Sequence, residues 1–153
     1  MFRTRRDLVW GLIGLTCMGI PALADAEPPS AALMAPVMQN VAAAEVAKRT
    51  EVLRELLSQY YRLVPQDQAQ AAEARATNAG CNGTEACMAE VRQALGVDVV
   101  YHLHIEDQGY VDPVHLTHLG SAGSVKQYTQ CNRCTRRLYR RTLAELLRAT
   151  HAP

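Results

Sequence analysis

The strongest pattern in the chain is the alternation across GVDVVYHLHIED, residues 96–107. Val99, Tyr101, Leu103 and Ile105 fall on one side, and Val100, His102, His104 and Glu106 on the other. A period of two in β-branched and aromatic residues predicts a strand. Asp107-Gln108-Gly109 predicts a turn into a second strand, 110–119, and Gly120-Ser121-Ala122-Gly123 a turn into a third, 124–130. Together they form a three-stranded antiparallel meander. Upstream, Ala43, Val46, Thr50, Leu53 and Leu57 recur at helical spacing, with Asn40 as N-cap. Residues 32–37 predict a strand with Pro36 at an edge or end, and 60–64 a short strand stopped by Pro65. Residues 66–76 predict a helix that Asn78-Ala79-Gly80 ends. Thr84 caps a third helix, with Glu85 in its first turn, Met88, Val91 and Leu95 as its buried stripe and Gly96 at its end. A last helix runs from about Arg133 to Ala149. The order β-α-β-α-α-β-β-β-α is that of an α/β fold: a mixed sheet with an N-terminal βαβ crossover, right-handed by rule, helices packed on the sheet, a C-terminal antiparallel meander and a closing helix.

The amino terminus is of a different kind. Arg3, Arg5 and Arg6 precede an apolar run from Leu8 to Ile20, and Ala22-Leu23-Ala24 fits a small-x-small cleavage site, with Ala24-Asp25-Ala26 as a second choice. Residues 1–24 therefore predict a secretory signal peptide, too short in its apolar part for the roughly 20 residues of a membrane span. Cys17 follows Gly14-Leu15-Thr16, which does not fit the Leu-x-small triplet before a lipid-modified cysteine. Residues 25–31 predict a disordered leader and 32–150 a single domain. The expected location is the periplasm.

Removing residues 1–24 takes away three arginines and one aspartate and leaves 13 basic against 14 acidic residues. The balance is uneven along the chain. Residues 126–153 carry Lys126 and six arginines against Glu145 alone, net +6, and the rest of the mature chain nets −7. In the last helix Arg133, Arg136, Arg137, Arg140 and Arg141 share one face, and Leu138, Tyr139, Thr142, Leu143 and Leu146 the opposite one. The cationic row predicts an anionic partner: an acidic protein surface, phospholipid head groups in peripheral contact, or a glycan polymer. Export and the lack of stacking aromatics among the arginines argue against nucleic acid. The pattern sets no oligomeric state.

Four cysteines remain in the mature chain, Cys81, Cys87, Cys131 and Cys134, and an even number in an exported protein predicts two disulfides. Of three possible pairings, the local one, Cys81–Cys87 with Cys131–Cys134, is expected. Cys131-Asn132-Arg133-Cys134 also admits a thiol-disulfide reading, because nearby arginines and a helix start favour a thiolate. Thioredoxin-like chains, however, place C-x-x-C early, after the first strand of their βαβ unit. Thr135 after Cys134 excludes covalent haem attachment, and C-x5-C with C-x2-C is not a familiar zinc spacing. His102 and His104 point to one side of their strand, with Glu106, and either His115 or His118 can join them in a zinc or copper site. No nucleophile elbow, phosphate loop or metalloprotease motif occurs, so no enzyme and no cofactor are expected.

LRELLSQ leading to YYRLVP, then C-N-G-T-E-A-C, a helix and LGVDVVYHL, resembles the small periplasmic domain at the amino end of TolB. Related domains occur in the curli secretion protein CsgG and in flagellar and peptidoglycan-synthase accessory lipoproteins. The resemblance spans roughly residues 33–147. It implies a binding module of envelope assemblies, a disulfide in the Cys81–Cys87 loop and no catalytic residue. The chain departs from it in lacking a lipid-acceptor cysteine and in adding Cys131, Cys134 and the arginine-rich helix. The expected function is thus an exported envelope accessory or docking module. The alternatives are a periplasmic thiol-disulfide protein and a zinc or copper binder.

Overall fold

The computed structural model describes residues 27–76, 81 and 83–151. The expected signal peptide and the Asn78-Ala79-Gly80 stop lie outside them. The elements are β1 (Ser30–Leu33), β2 (Val37–Gln39), α1 (Ala43–Leu57), β3 (Arg62–Leu63), α2 (Gln66–Arg75), α3 (Glu85–Leu95), β4 (Val99–Glu106), β5 (Val111–Gly120), β6 (Gly123–Asn132) and α4 (Arg136–His151). They form one mixed sheet in the order β3-β1-β4-β5-β6, with β2 also on β4. β1 runs parallel to β3 and β4, and β4-β5-β6 is the antiparallel meander.

The strand expected over 32–37 is two strands. β1 pairs with Val99–Tyr101 of β4, and β2 with His104–Glu106 of the same strand. Pro36, which has no N–H, sits in the break between them. Ahead of it the Met34 N–H still donates to the Tyr101 carbonyl at 3.0 Å, and the Ala35 N–H donates to the Glu73 carboxylate at 2.9 Å. Burial at this junction raises the Glu73 pKa. Ser30 and Ala31, expected at the end of a leader over 25–31, belong to β1. The Ser30 N–H and hydroxyl both donate to the Asp98 carboxylate, at 2.7 and 2.8 Å, and fix the strand start beside β4.

Both faces of the sheet are packed. Ala31, Leu33, Tyr101, Leu103, Ile105, Val114 and Leu116 meet Val52, Leu53, Leu56 and Leu57 of α1 and Tyr139, Leu143, Leu146 and Leu147 of α4. Ala32, Met34, Val100 and Leu119 meet Ala69 and Ala72 of α2 and Cys87, Met88 and Val91 of α3. In β1 the small alanines lie between two layers of larger side chains, which is why so short a strand can be central.

Three local expectations change. Asn40 adopts φ 60° two residues before the helix, and Ala42 occupies the N-cap position of α1 with no side-chain cap. The buried stripe of α1 is Arg49, Val52, Leu53, Leu56 and Leu57; Ala43 is exposed, and Val46 and Thr50 are half-buried. The helix is rotated because Arg49 finds a buried partner, Asp112 on β5, at 3.1 Å. In α3, Leu95 is only half-buried and Cys87 takes its place in the stripe. Thr84 occupies the N-cap position there without a side-chain cap bond. Gly96 closes α3 in the left-handed region, φ 62°, as expected.

Candidate functional site

α4 begins at Arg136, not Arg133. Arg133 lies in the turn before it with φ 46°, between the bonded pair Cys131 and Cys134, whose Cα atoms are 5.2 Å apart. The Thr135 hydroxyl accepts the Leu138 N–H at 3.4 Å and caps the first turn. Tyr139, Leu143, Leu146 and Leu147 face the core. Leu138, assigned from spacing to the apolar side, is 41% exposed. Its Cβ direction falls between the core stripe and the cationic row.

Arg133, Arg136, Arg137, Arg140 and Arg141 are all exposed. They are not equivalent. Arg140 pairs with Glu55 of α1, Arg141 pairs with Glu145 at 2.9 Å, and the Arg133 guanidinium lies 4.9 Å from the centre of the Tyr110 ring. Arg136 and Arg137 have no ion-pair or hydrogen-bond partner among the described residues. They occupy the first turn of α4, which holds no acidic residue. Positive charge there opposes the helix dipole, an arrangement that costs stability unless an anion offsets it.

β6 lies at one edge of the sheet; the opposite edge, β3, has two residues. The ten residues of β6 are mostly exposed, including Val125 and Tyr128. A cleft of about 300 Å³ runs between the end of β6 at Gln130–Asn132 and Leu138, Arg141, Thr142 and Glu145 of α4. The end of the β6 edge, Leu138 and the Arg141 guanidinium therefore border one cleft, and Arg136 lies on the other flank of α4, beside Glu45 and Lys48 of α1. Spacing along the sequence did not single out Tyr110 and Tyr128, which are 59% and 52% exposed. The lack of any apolar alternation in SVKQYTQ was the available sign that this strand is an edge.

The local cysteine pairs are the ones that the structure brings together. Cys81 is bonded to Cys87, with Cα atoms 5.5 Å apart, and ties the loop before α3 to the helix. Cys131 is 2% exposed and Cys134 half-buried, both against the core. An attacking thiolate could reach only Cys134.

His102, His104 and His115 share the α2–α3 face, because His104 stands directly opposite His115 and His102 opposite Thr117. His118 stands opposite Tyr101 and lies on the other face. Of the two candidates, His115 is thus the one that joins His102 and His104. His102 is 5% exposed, and Gly83 packs on its ring so closely that any Cβ there would overlap the imidazole. Burial lowers the His102 pKa to about 4, with smaller contributions from His104 and Lys126. Burial also lowers His115, His118 and His151. Nε2 of His102 and of His104, and Nδ1 of His115 and of His118, are enclosed without a hydrogen-bond partner among the described residues. Among the described residues no three His, Cys, Asp or Glu side chains converge as a metal-holding group. No described helix is long and apolar enough to cross a membrane.

No protein-family model matches the chain, and no curated protein matches it. Among solved structures, lipoprotein GNA1162 from Neisseria meningitidis superposes with a TM-score of 0.50 at 9% identity, over 71% of this chain and 84% of its own. The LpoB C-terminal domain from Salmonella enterica gives 0.49 at 15% identity over 69% and 86%, and the PelC dodecamer protomer from Paraburkholderia phytofirmans 0.47 at 11% over 79% and 85%. At 9% identity the likeness to lipoprotein GNA1162 shows a shared fold alone.

Proposed function

We propose that the protein is an exported envelope accessory module. It docks a partner protein along the β6 edge and the adjoining arginines of α4 and performs no chemistry. The single observation that carries this reading is the joining of two unfinished surfaces. Among the described residues, a ten-residue strand has one side without a neighbour, and the Cys131–Cys134 turn leads from it directly into a helix start whose Arg136 and Arg137 form no ion pair. An extended segment can add to an open edge through backbone hydrogen bonds, and acidic side chains on it would meet the arginines. A sheet shared with a Neisseria lipoprotein supports the envelope setting. The signal-like amino terminus supports export.

The test is site-specific photocrosslinking in the cell envelope from positions 128 and 138, in the parent and in an Arg136→Ala/Arg137→Ala variant. The reading expects one protein adduct from both positions, lost or reduced at least tenfold in the variant. Identical adducts in parent and variant would remove the arginines from the docking surface. Lipid adducts alone would shift the reading to an anionic membrane surface. A thiol-disulfide role expects instead a mixed disulfide trapped at Cys134.

A further inference from the structure

We propose that His104 and His115 form a cross-strand chelate for a divalent transition cation of the zinc, nickel or copper class. The observation is one of register. His104 on β4 and His115 on β5 are direct partners in the antiparallel ladder. Directly opposite residues bring their Cβ atoms to within about 4.5–5.5 Å on the same face. The ring centres lie 5.8 Å apart with the planes tilted by 34°. Two imidazoles that ligate one ion at about 2.0–2.1 Å per nitrogen have ring centres on the order of 5–6 Å apart. Within one strand, by contrast, the step from His102 to His104 spans about 6.5 Å, and His102 is sealed beneath Gly83.

The second observation concerns unfilled capacity. One nitrogen on each ring, Nε2 of His104 and Nδ1 of His115, is enclosed and has no hydrogen-bond partner among the described residues. An enclosed polar atom without a partner is unfavourable. A neutral imidazole nitrogen is a ligand for borderline cations.

The surroundings set the strength of binding. Glu106 is two residues along β4 on the same side, but no third ligand converges among the described residues. Tyr128, opposite His115 on β6, lies 4.7 Å from it ring to ring, and its hydroxyl accepts from Gln130 at 2.8 Å. Lys126, next on the same side of β6, adds an opposing charge. Two protein ligands against one nearby ammonium make a weaker site than the three- and four-ligand sets that hold zinc tightly.

Calorimetric titration of the tag-free chain with ZnSO4, NiCl2 and CuSO4 tests this. The expected result is one ion per chain for at least one metal. His104→Gln or His115→Gln should each weaken binding at least tenfold, the double variant little more than either, and His118→Gln and His151→Gln should have no effect. Circular dichroism checks that the variants fold. Should they not, the unaltered chain still decides: substoichiometric Cu²⁺ should broaden the amide resonances of residues 104, 115 and 128 before those of 118 and 151. No binding, full binding by His104→Gln, or broadening centred on residue 118 or 151 overturns the proposal.

Discussion

The guanidinium of Arg49 on α1 reaches the carboxylate of Asp112 on β5 at 3.1 Å, and both residues are interior, 7% and 4% exposed. The same guanidinium lies 5.5 Å from the Tyr139 ring centre on α4, and the Tyr139 hydroxyl donates to the Arg49 carbonyl at 3.3 Å. One polar contact thus joins the first helix, the meander and the last helix. Burial of the pair carries a desolvation cost that the mutual attraction offsets only while both partners are present.

Asp112→Ala should therefore destabilise the protein by up to about 3–5 kcal/mol, because it leaves the buried Arg49 with only the half-exposed Glu45 carboxylate, 3.6 Å away. Arg49→Met with Asp112→Leu should be close to neutral. Urea unfolding of the three proteins, compared at equal slope, checks both.

Gly83→Ala should cost about 1–3 kcal/mol through overpacking and strain. Gly83 has φ 80°, and an added methyl would overlap His102. The cost should fall by half or more in a His102→Ala background. A double-mutant cycle by thermal or urea unfolding measures the coupling.

His102 has a folded pKa near 4 against about 6.5 when unfolded. The unfolded chain thus binds the extra proton first as pH falls. Its contribution is fully present above about pH 6.5 and is lost progressively toward pH 4, about 3 kcal/mol in all. His115, His118 and His151 are shifted in the same direction. Urea midpoints between pH 7 and 4 should fall, and His102→Gln should flatten the slope.

Cys131→Ser/Cys134→Ser should cost only about 2 kcal/mol, because so small a loop constrains the unfolded chain little. Hydrogen exchange at residues 136–139 should quicken more than at 143–147, since the bridge anchors the start of α4.

Much of this fold was legible in the chain because its signals are local. The alternation through Val99–Glu106 and the glycine turns carried the meander, and the spacing of Tyr139, Leu143 and Leu146 carried the inner face of α4. What escaped depends on distant partners. Arg49 turns inward only because Asp112, 63 positions later, meets it. β1 and β2 separate at Pro36 because one long strand serves both. The same holds at the candidate site. Two histidines on one strand are visible as a period of two, but the choice of His115 over His118 needs the β4–β5 register. The outward arginines were legible, but their ion pairs with Glu55 and Glu145 divide them into engaged and free groups that helical spacing does not distinguish.

β4 pairs with β1, β2 and β5, yet it arises only after Leu95. A ribosome or translocase delivering the chain from its amino end releases the first two strands well before the segment they flank. Their apolar sides must wait through more than sixty residues of elongation, a separation of the kind that slows folding. Maturation is accordingly a late, concerted event, and a chain halted short of Glu106 would leave its opening strands without a sheet to join.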